Sequence, residues 1–241
     1  MPKNKMELPN VVYFDLDNTL YDYPATNKLA ETKLFNQISE SLNLDLRIVK
    51  KTYQQSRLNV KNRTGNTASS HSRILYIAEM FRALDVRVRP SLALEFENYF
   101  WSTFISAIQV NPSAQDFVLL LRQLKVQTVL VTDLTVNIQY RKLIRLGLDD
   151  AFDFVLTSEE VGGDKVTGLP FALAFELLND EQKNLAWFIG DAEGDFPSDN
   201  PFKSSRYFLR DETSRIGSTT NRKIERFSRF NFFIDQLLGN R

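Results

Sequence analysis

The sequence predicts an α/β protein: a Rossmann-like parallel sheet core with an inserted all-helical segment. Three observations carry this. Val11-Val-Tyr-Phe is an apolar run of β-forming residues that ends on two acids, Asp15 and Asp17. From Asn111-Pro112 onward, short apolar runs alternate with helical patterns, as in right-handed βαβ units whose sheet is covered on both faces. Residues 21–110, between these parts, show only the three-to-four-residue apolar spacing of amphipathic helices. The expected organisation is a core domain of residues 1–20 and 111–241 with a helical cap domain, 21–110, inserted into it.

The elements follow in order. After Leu20, Tyr21-Asp-Tyr-Pro24 is a breaker. Ala30, Leu34, Ile38 and Leu42 then mark one helix, Leu46 to Val60 a second, Ile74 to Leu84 a third, and Leu92, Phe96 and Tyr99 a fourth. The polar stretch Lys61 to Arg73 reads as a loop, and Phe100-Trp101 as packing. In the second half, Ala114, Phe117, Val118 and Leu121 form a helix, and Thr128 to Val131 a strand ending in Thr132-Asp133. Val136, Tyr140, Leu143 and Ile144 define the inner face of the next helix, which Gly147 ends. Phe152 to Leu156 is a strand interrupted by Asp153, followed by a helical turn at Ser158 and a loop through Lys165. Pro170 opens a helix, Leu185 to Ile189 is a strand running into Gly190-Asp191, Arg206 to Leu209 is another, and Lys223 to Leu238 reads as a final helix.

Composition narrows the function. The chain has 241 residues, 43% hydrophobic and 25% charged, as in globular proteins. Lys+Arg and Asp+Glu both number 30, so there is no global field for nucleic acid or an anionic membrane, and any bound anion must be held locally. The absence of cysteine excludes disulfides and thiolate metal sites. Met1-Pro-Lys-Asn-Lys lacks an apolar signal core, and no apolar run approaches membrane-spanning length, so the expectation is a cytoplasmic protein.

The chemistry gathers at strand ends. Asp15 and Asp17, at i and i+2 in extended chain, point to one side and repel unless a cation or a shared proton relieves them. A calcium loop is excluded, because Leu20 and Thr26 stand where its glycine and bidentate glutamate belong. Parallel sheets bind ligands beyond the carboxyl ends of their strands. That rule collects Asp15, Asp17, Thr132, Lys165, Asp191 and Asp195 in one place. Asp15 and Asp191 offer hard oxygens suited to Mg²⁺, while the Thr132 hydroxyl and the Lys165 ammonium suit phosphoryl oxygens. Thr132 is equally able to cap the following helix. With Asp15 as nucleophile, Asp17 serves the proton transfers of a phospho-aspartate pathway.

In order along the chain, Asp15-Leu-Asp17-Asn-Thr19-Leu, Thr132, Lys165 and Gly190-Asp191 with Asp195 resemble the four motifs of the haloacid dehalogenase-like hydrolases. The similarity is to their phosphatase branch with a helical cap, and it spans about Val11 to Leu209. The resemblance implies Mg²⁺ held by Asp15, the Asp17 backbone carbonyl and Asp191. It also implies supporting roles for Thr19 and Asp195, and a cap closing over a small phosphorylated substrate. This chain departs from the family in three places. Lys165 is followed by Val-Thr-Gly where a proline is usual, Asp133 stands where many relatives carry Asn, and Asp199 rivals Asp195 as the second acid of the last motif. His71 and Arg73 resemble a cap stretch that faces the core, so they join Thr132, Asp133 and Lys165 as candidate substrate contacts. A phosphomutase, a dehalogenase and an idle scaffold are the alternatives. The mutase shares this core, the dehalogenase has no use for Asp17, and a scaffold predicts the loss of a core acid.

Overall fold

In a computed structural model of the chain, residues 6–210 and 222–239 are described. The N-terminal residues 1–5, used above to argue against a signal segment, lie outside them. Six strands form one sheet, all parallel: β1 (Val11–Phe14), β2 (Gln127–Thr132), β3 (Phe154–Thr157), β4 (Leu185–Gly190), β5 (Ser204–Arg210) and β6 (Ile224–Phe227). Their order is β3-β2-β1-β4-β5-β6. The chain builds outward from β1 in one direction, then returns to build outward through β4 in the other. Between the carboxyl ends of β1 and β4 this reversal leaves the crevice in which doubly wound sheets bind ligands. β1 is buried along its whole length because both of its edges are paired and both of its faces are covered.

Four helices fill the insertion: α1 (Tyr23–Leu42), α2 (Leu46–Thr64), α3 (Arg73–Ala83) and α4 (Pro90–Ala107). Asp22 starts α1 by accepting from the Ala25 amide at 3.0 Å, with Pro24 in the first turn, and Asn43 ends it in the left-handed region. The two passages into and out of the insertion meet. Tyr21 and Val110 form an antiparallel bridge, and the Asn111 amide donates to the Leu20 carbonyl at 3.0 Å. The sheet's own helices are α5 (Pro112–Gln123), α6 (Val136–Leu146), the single turn α7 (Ser158–Val161), α8 (Leu169–Glu176) and α9 (Asn231–Leu238). On one face Phe14, Phe117, Trp187, Phe208 and Phe233 pack together and continue into the insertion's core; on the other, Tyr13, Phe171 and Phe188 pack beneath α8. Among the described residues, no helix is long and apolar enough to cross a membrane.

Four expectations need correction. Residues 223–238 are not one helix, because Ile224–Phe227 pairs in parallel with β5 and only Asn231–Leu238 is helical. Phe227, Phe230, Ile234 and Leu237 have helical spacing, yet the first lies on a strand, the second in the turn after it, and only the last two on the helix. Asp153 does not interrupt β3 but precedes it, where its carboxylate accepts from the Thr128 amide at 2.7 Å and hydroxyl at 3.1 Å. α2 runs on to Thr64, and a 3₁₀ turn at Ala68–His71 replaces more of the expected loop. The inner face of α6 is also rotated. Tyr140 and Ile144 are 48% and 64% exposed, while Gln139 and Lys142 are fully buried.

Phe233 lies 4.9 Å from the ring centroids of Phe117, Phe208 and Phe227 and is fully buried. Phe233→Ala should therefore cost about 3–5 kcal/mol in chemical denaturation, by lost transfer energy plus a cavity. Its neighbour Phe232 is 37% exposed, and Phe232→Ala should cost less than about 1 kcal/mol.

Candidate active site

The chain leaves the sheet after Phe14, and Asp15 follows at the crevice with only 5% of its surface exposed. Thr19, four residues on, donates its hydroxyl to Asp15 Oδ2 at 2.8 Å. Lys165 donates its ammonium to Asp15 Oδ1 at 2.6 Å and also to Asp195 Oδ1. The other oxygen of Asp195 accepts from the amides of Asp191 and Ala192 at 3.1 and 2.9 Å. Asp195 therefore orients both Lys165 and the loop carrying Asp191. Asp199 is exposed and does not line the crevice. Gly190 makes this possible, since a Cβ there would fall 2.5 Å from Asp195. Asn18, at φ 69°, takes the left-handed conformation that Asn tolerates and donates to Asp191 Oδ2 at 2.7 Å. Arg210, at the end of β5, donates to the Asn18 and Thr19 carbonyls at 2.8 and 3.1 Å and braces the β1 loop.

Thr132 ends β2 facing the same cavity. It does not cap α6, whose cap position is Thr135. Buried Gln139 instead donates to the Thr132 hydroxyl oxygen and the Asp133 carbonyl, both at 2.6 Å, while the Thr132 hydroxyl makes only a long bond, 3.5 Å, to that same carbonyl. Asp133 also lines the cavity, and its Oδ1 accepts from the Ser158 hydroxyl at 3.0 Å and the Lys165 amide at 2.8 Å. It thereby fixes the backbone from which Lys165 projects.

Asp17 has a partner that the sequence did not reveal. Lys142 Nζ donates to both of its carboxylate oxygens at 2.8 Å, and the Tyr21 hydroxyl adds a third bond at 2.7 Å. The ammonium is wholly buried, with the Phe104, Tyr23 and Trp101 rings of the insertion at 5.4–5.9 Å. Burial pulls the Lys142 pKa below its ordinary value, while Asp17 opposes that shift. The i+3 step from Gln139 to Lys142 was the available signal, two polar groups on a face that otherwise carries Ile138, Leu143 and Leu146.

The insertion closes the cavity, about 260 Å³, with Arg57, Lys61, His71 and Arg73. Arg73 is buried. Its terminal nitrogens reach the Tyr23 hydroxyl, Asn27 and the His71 carbonyl, and its guanidinium lies over the Phe100 ring at 5.0 Å. His71 Nε2 lies 3.0 Å from Asp164 Oδ2, tying the insertion to the loop before Lys165. Both residues expected from the cap thus reach the cavity, with most of their polar atoms already partnered.

A divalent cation fits the floor. Carboxylate oxygens of Asp15, Asp191 and Asp195 lie within 4.8 Å of one another. Lys165 pairs with Asp15 and Asp195 but not with Asp191, so the acids outnumber the one ammonium among them. Burial first, and then the charge of Asp195, raises Asp15 well above the usual carboxylate range; Asp191 is raised by burial and by Asp195 against its bond from Asn18. Lys165 is held protonated by Asp15 and Asp195 in spite of its burial. Hard oxygens crowded around missing positive charge form a donor set for a hard divalent metal.

A parallel sheet with an acid cluster at its reversal point and a helical insertion above it is the arrangement of a known hydrolase class. The chain belongs to the haloacid dehalogenase-like (HAD) hydrolases, whose family model matches residues 9–198. It is 35% identical over 197 residues to a ribulose-1,5-bisphosphate 5-phosphatase of Halopiger xanaduensis, spanning 80% of this chain and 81% of that one. A glyceraldehyde 3-phosphate phosphatase of Pyrococcus abyssi is 27% identical over 181 residues, 75% of this chain and 72% of the relative. Among solved structures, a magnesium-bound HAD-hydrolase of Bacillus subtilis shares the fold at TM-score 0.66 and 17% identity, covering 96% of this chain and all of its own. The protein is therefore a hydrolase of this family, whose members use a divalent metal.

Removing Asp17 would strand the buried Lys142 charge. Asp17→Asn should destabilise the protein by about 3 kcal/mol, the low end for a broken buried pair because the Asp17 side chain is 28% exposed. Lys142→Met in the same chain should restore part of that loss in a denaturation double-mutant cycle.

Proposed function

We propose that the protein is a Mg²⁺-dependent phosphatase that hydrolyses a small phosphorylated metabolite through an aspartyl-phosphate on Asp15. The observation that carries this is the meeting of Asp15, Lys165, Thr132 and Asp191 at one strand-end crevice, with Asp17 retained beside them. The phosphatase names of the relatives support it. The cavity of about 260 Å³ is smaller than drug-sized pockets of roughly 300–1,000 Å³, which suits a small metabolite. In this reading residues 21–110 act as the cap over a core of 1–20 and 111–241.

Asp15 and Asp191, with the Asp17 backbone carbonyl, would hold Mg²⁺. When bound, the ion neutralises phosphate charge and aligns the phosphoryl group. Lys165 and the Thr132 hydroxyl hold the non-bridging oxygens. An Asp15 carboxylate oxygen attacks phosphorus, the bond to the leaving oxygen breaks, and Asp17 gives that oxygen a proton. A water then attacks the same phosphorus, Asp17 takes its proton, and Asp15 leaves as carboxylate while phosphate departs. Lys142 orients the Asp17 carboxylate through two hydrogen bonds at 2.8 Å, and burial makes its ammonium a readier proton source than an exposed lysine. The closed contacts of Lys142 with Tyr23, Trp101 and Phe104 keep bulk water away from this exchange.

Asp15→Asn should abolish Mg²⁺-dependent release of phosphate from an aryl phosphate and leave the protein folded; full retained activity would contradict the mechanism. In the Asp17→Asn/Lys142→Met protein, turnover should fall by about 10²–10⁴-fold with poor leaving groups and much less with good ones. Equal slowing across a leaving-group series would count against Asp17 as the proton donor.

A further inference from the structure

The walls of the cavity carry opposite charge, and the reaction proposed above uses only one of them. The floor holds the carboxylates and Lys165, while the roof on α2 presents Arg57 and Lys61. These two are four residues apart and so share one helix face, an arrangement that like charges disfavour unless something compensates them. Of the other cations of α2, Arg47 pairs with Asp45 at 3.0 Å and Arg63 with Glu79 at 3.2 Å, while Lys50 and Lys51 are exposed and do not line the cavity. Among the described residues, neither Arg57 nor Lys61 forms an ion pair. Arg57 lies against the phenol of Tyr76, a neutral partner. Arg73 adds a third, buried charge whose hydrogen bonds all go to neutral oxygens. Lys61 feels both arginines. Its pKa is lowered by burial and then by Arg57 and Arg73, more than the carboxylates of Asp164 and Asp133 raise it.

Lys165 does not supply this charge to a ligand's far end, since its ammonium is already shared by Asp15 and Asp195. Half-buried cations that converge on a cavity and form no ion pair are the chemistry of an anion site. The planar fork of Arg57 and the point charge of Lys61 suit tetrahedral phosphate better than a single carboxylate.

We propose that Arg57 and Lys61 form a second anion subsite, so that the preferred substrate is a phosphomonoester carrying a second phosphate at its far end. The inference rests on the phosphatase reading only for the first phosphate, the one placed on Asp15. The floor takes the group that is cleaved and the roof the group that is kept. The two-point grip then measures the length of the carbon skeleton between them.

The test is equilibrium binding by calorimetry with Mg²⁺ present, in the Asp15→Asn protein so that no probe is consumed. The probes share one skeleton: pentane-1,5-diol bisphosphate, pentyl phosphate, and the analogue with a carboxylate in place of the second phosphate. The bisphosphate should bind at least about tenfold more tightly than pentyl phosphate, with the carboxylate between them. In an Arg57→Gln/Lys61→Met background that preference should fall within twofold, while Arg57→Lys should keep most of it. Equal binding of bisphosphate and pentyl phosphate, or a preference that survives the double substitution, would overturn the subsite. A carboxylate that binds as well as the bisphosphate would overturn the choice of phosphate. If the parent protein shows the preference yet releases no phosphate from the bisphosphate, the subsite stands and the hydrolytic reading fails.

Discussion

Like charge held at the reversal point of the sheet is the constraint on which the rest of the structure depends. Strand order brings the ends of β1 and β4 side by side, and each end delivers an acid, Asp15 and Asp191, into a space where water is scarce. Asp195 adds a third. One ammonium cannot balance three carboxylates, and the surrounding devices limit the imbalance without removing it. Lys165 bridges two of the acids, Thr19 and Asn18 each donate to one, and two backbone amides hold Asp195. Even Gly190 belongs to this arrangement, since any side chain there would displace Asp195. What remains is a negative pocket that suits a divalent cation and, with it, a phosphate.

The same reasoning gives the helical insertion a physical role beyond covering the crevice. Its aromatic rings surround Lys142, the buried partner of Asp17, and its polar turn ties His71 to Asp164 beside Lys165. Shifting the insertion would disturb the proposed proton donor and the lysine of the floor together. In the proposed reading, the seating of the insertion and the readiness of the site for chemistry would be coupled through these two contacts. The positive face of α2 completes the arrangement by opposing the negative floor.

Much of this was legible in the sequence, for a definable reason. Asp15, Asp17, Thr132 and Asp191 each stand at, or within three residues of, the carboxyl end of an apolar strand, and the rule that parallel sheets bind at strand ends converts one-dimensional position into a shared location. Lys165 follows its strand less directly, but its place among the other motifs identifies it. Residues that reach the site from helices leave no such mark. Lys142, Gln139 and Arg57 fall within stretches read as amphipathic helices, and Lys61 opens a stretch read as a loop, until the fold supplies partners for the first two and a cavity for the others. Asp17 and Lys142 are separated by 125 positions, a distance no local pattern spans. β6 escaped for a different reason. Its four residues carry too few alternations to outweigh the helical spacing that Phe227 shares by coincidence with α9.

The account's central claim is that Asp15 forms a covalent bond to phosphorus, and it can be read chemically. Protein quenched during turnover of a phosphomonoester with Mg²⁺ and treated with borohydride should yield a peptide in which position 15 has become homoserine, the reduction product of an aspartyl phosphate. The Asp15→Asn protein should yield none. Homoserine at another aspartate, or its absence while phosphate is being released at full rate, would contradict the account.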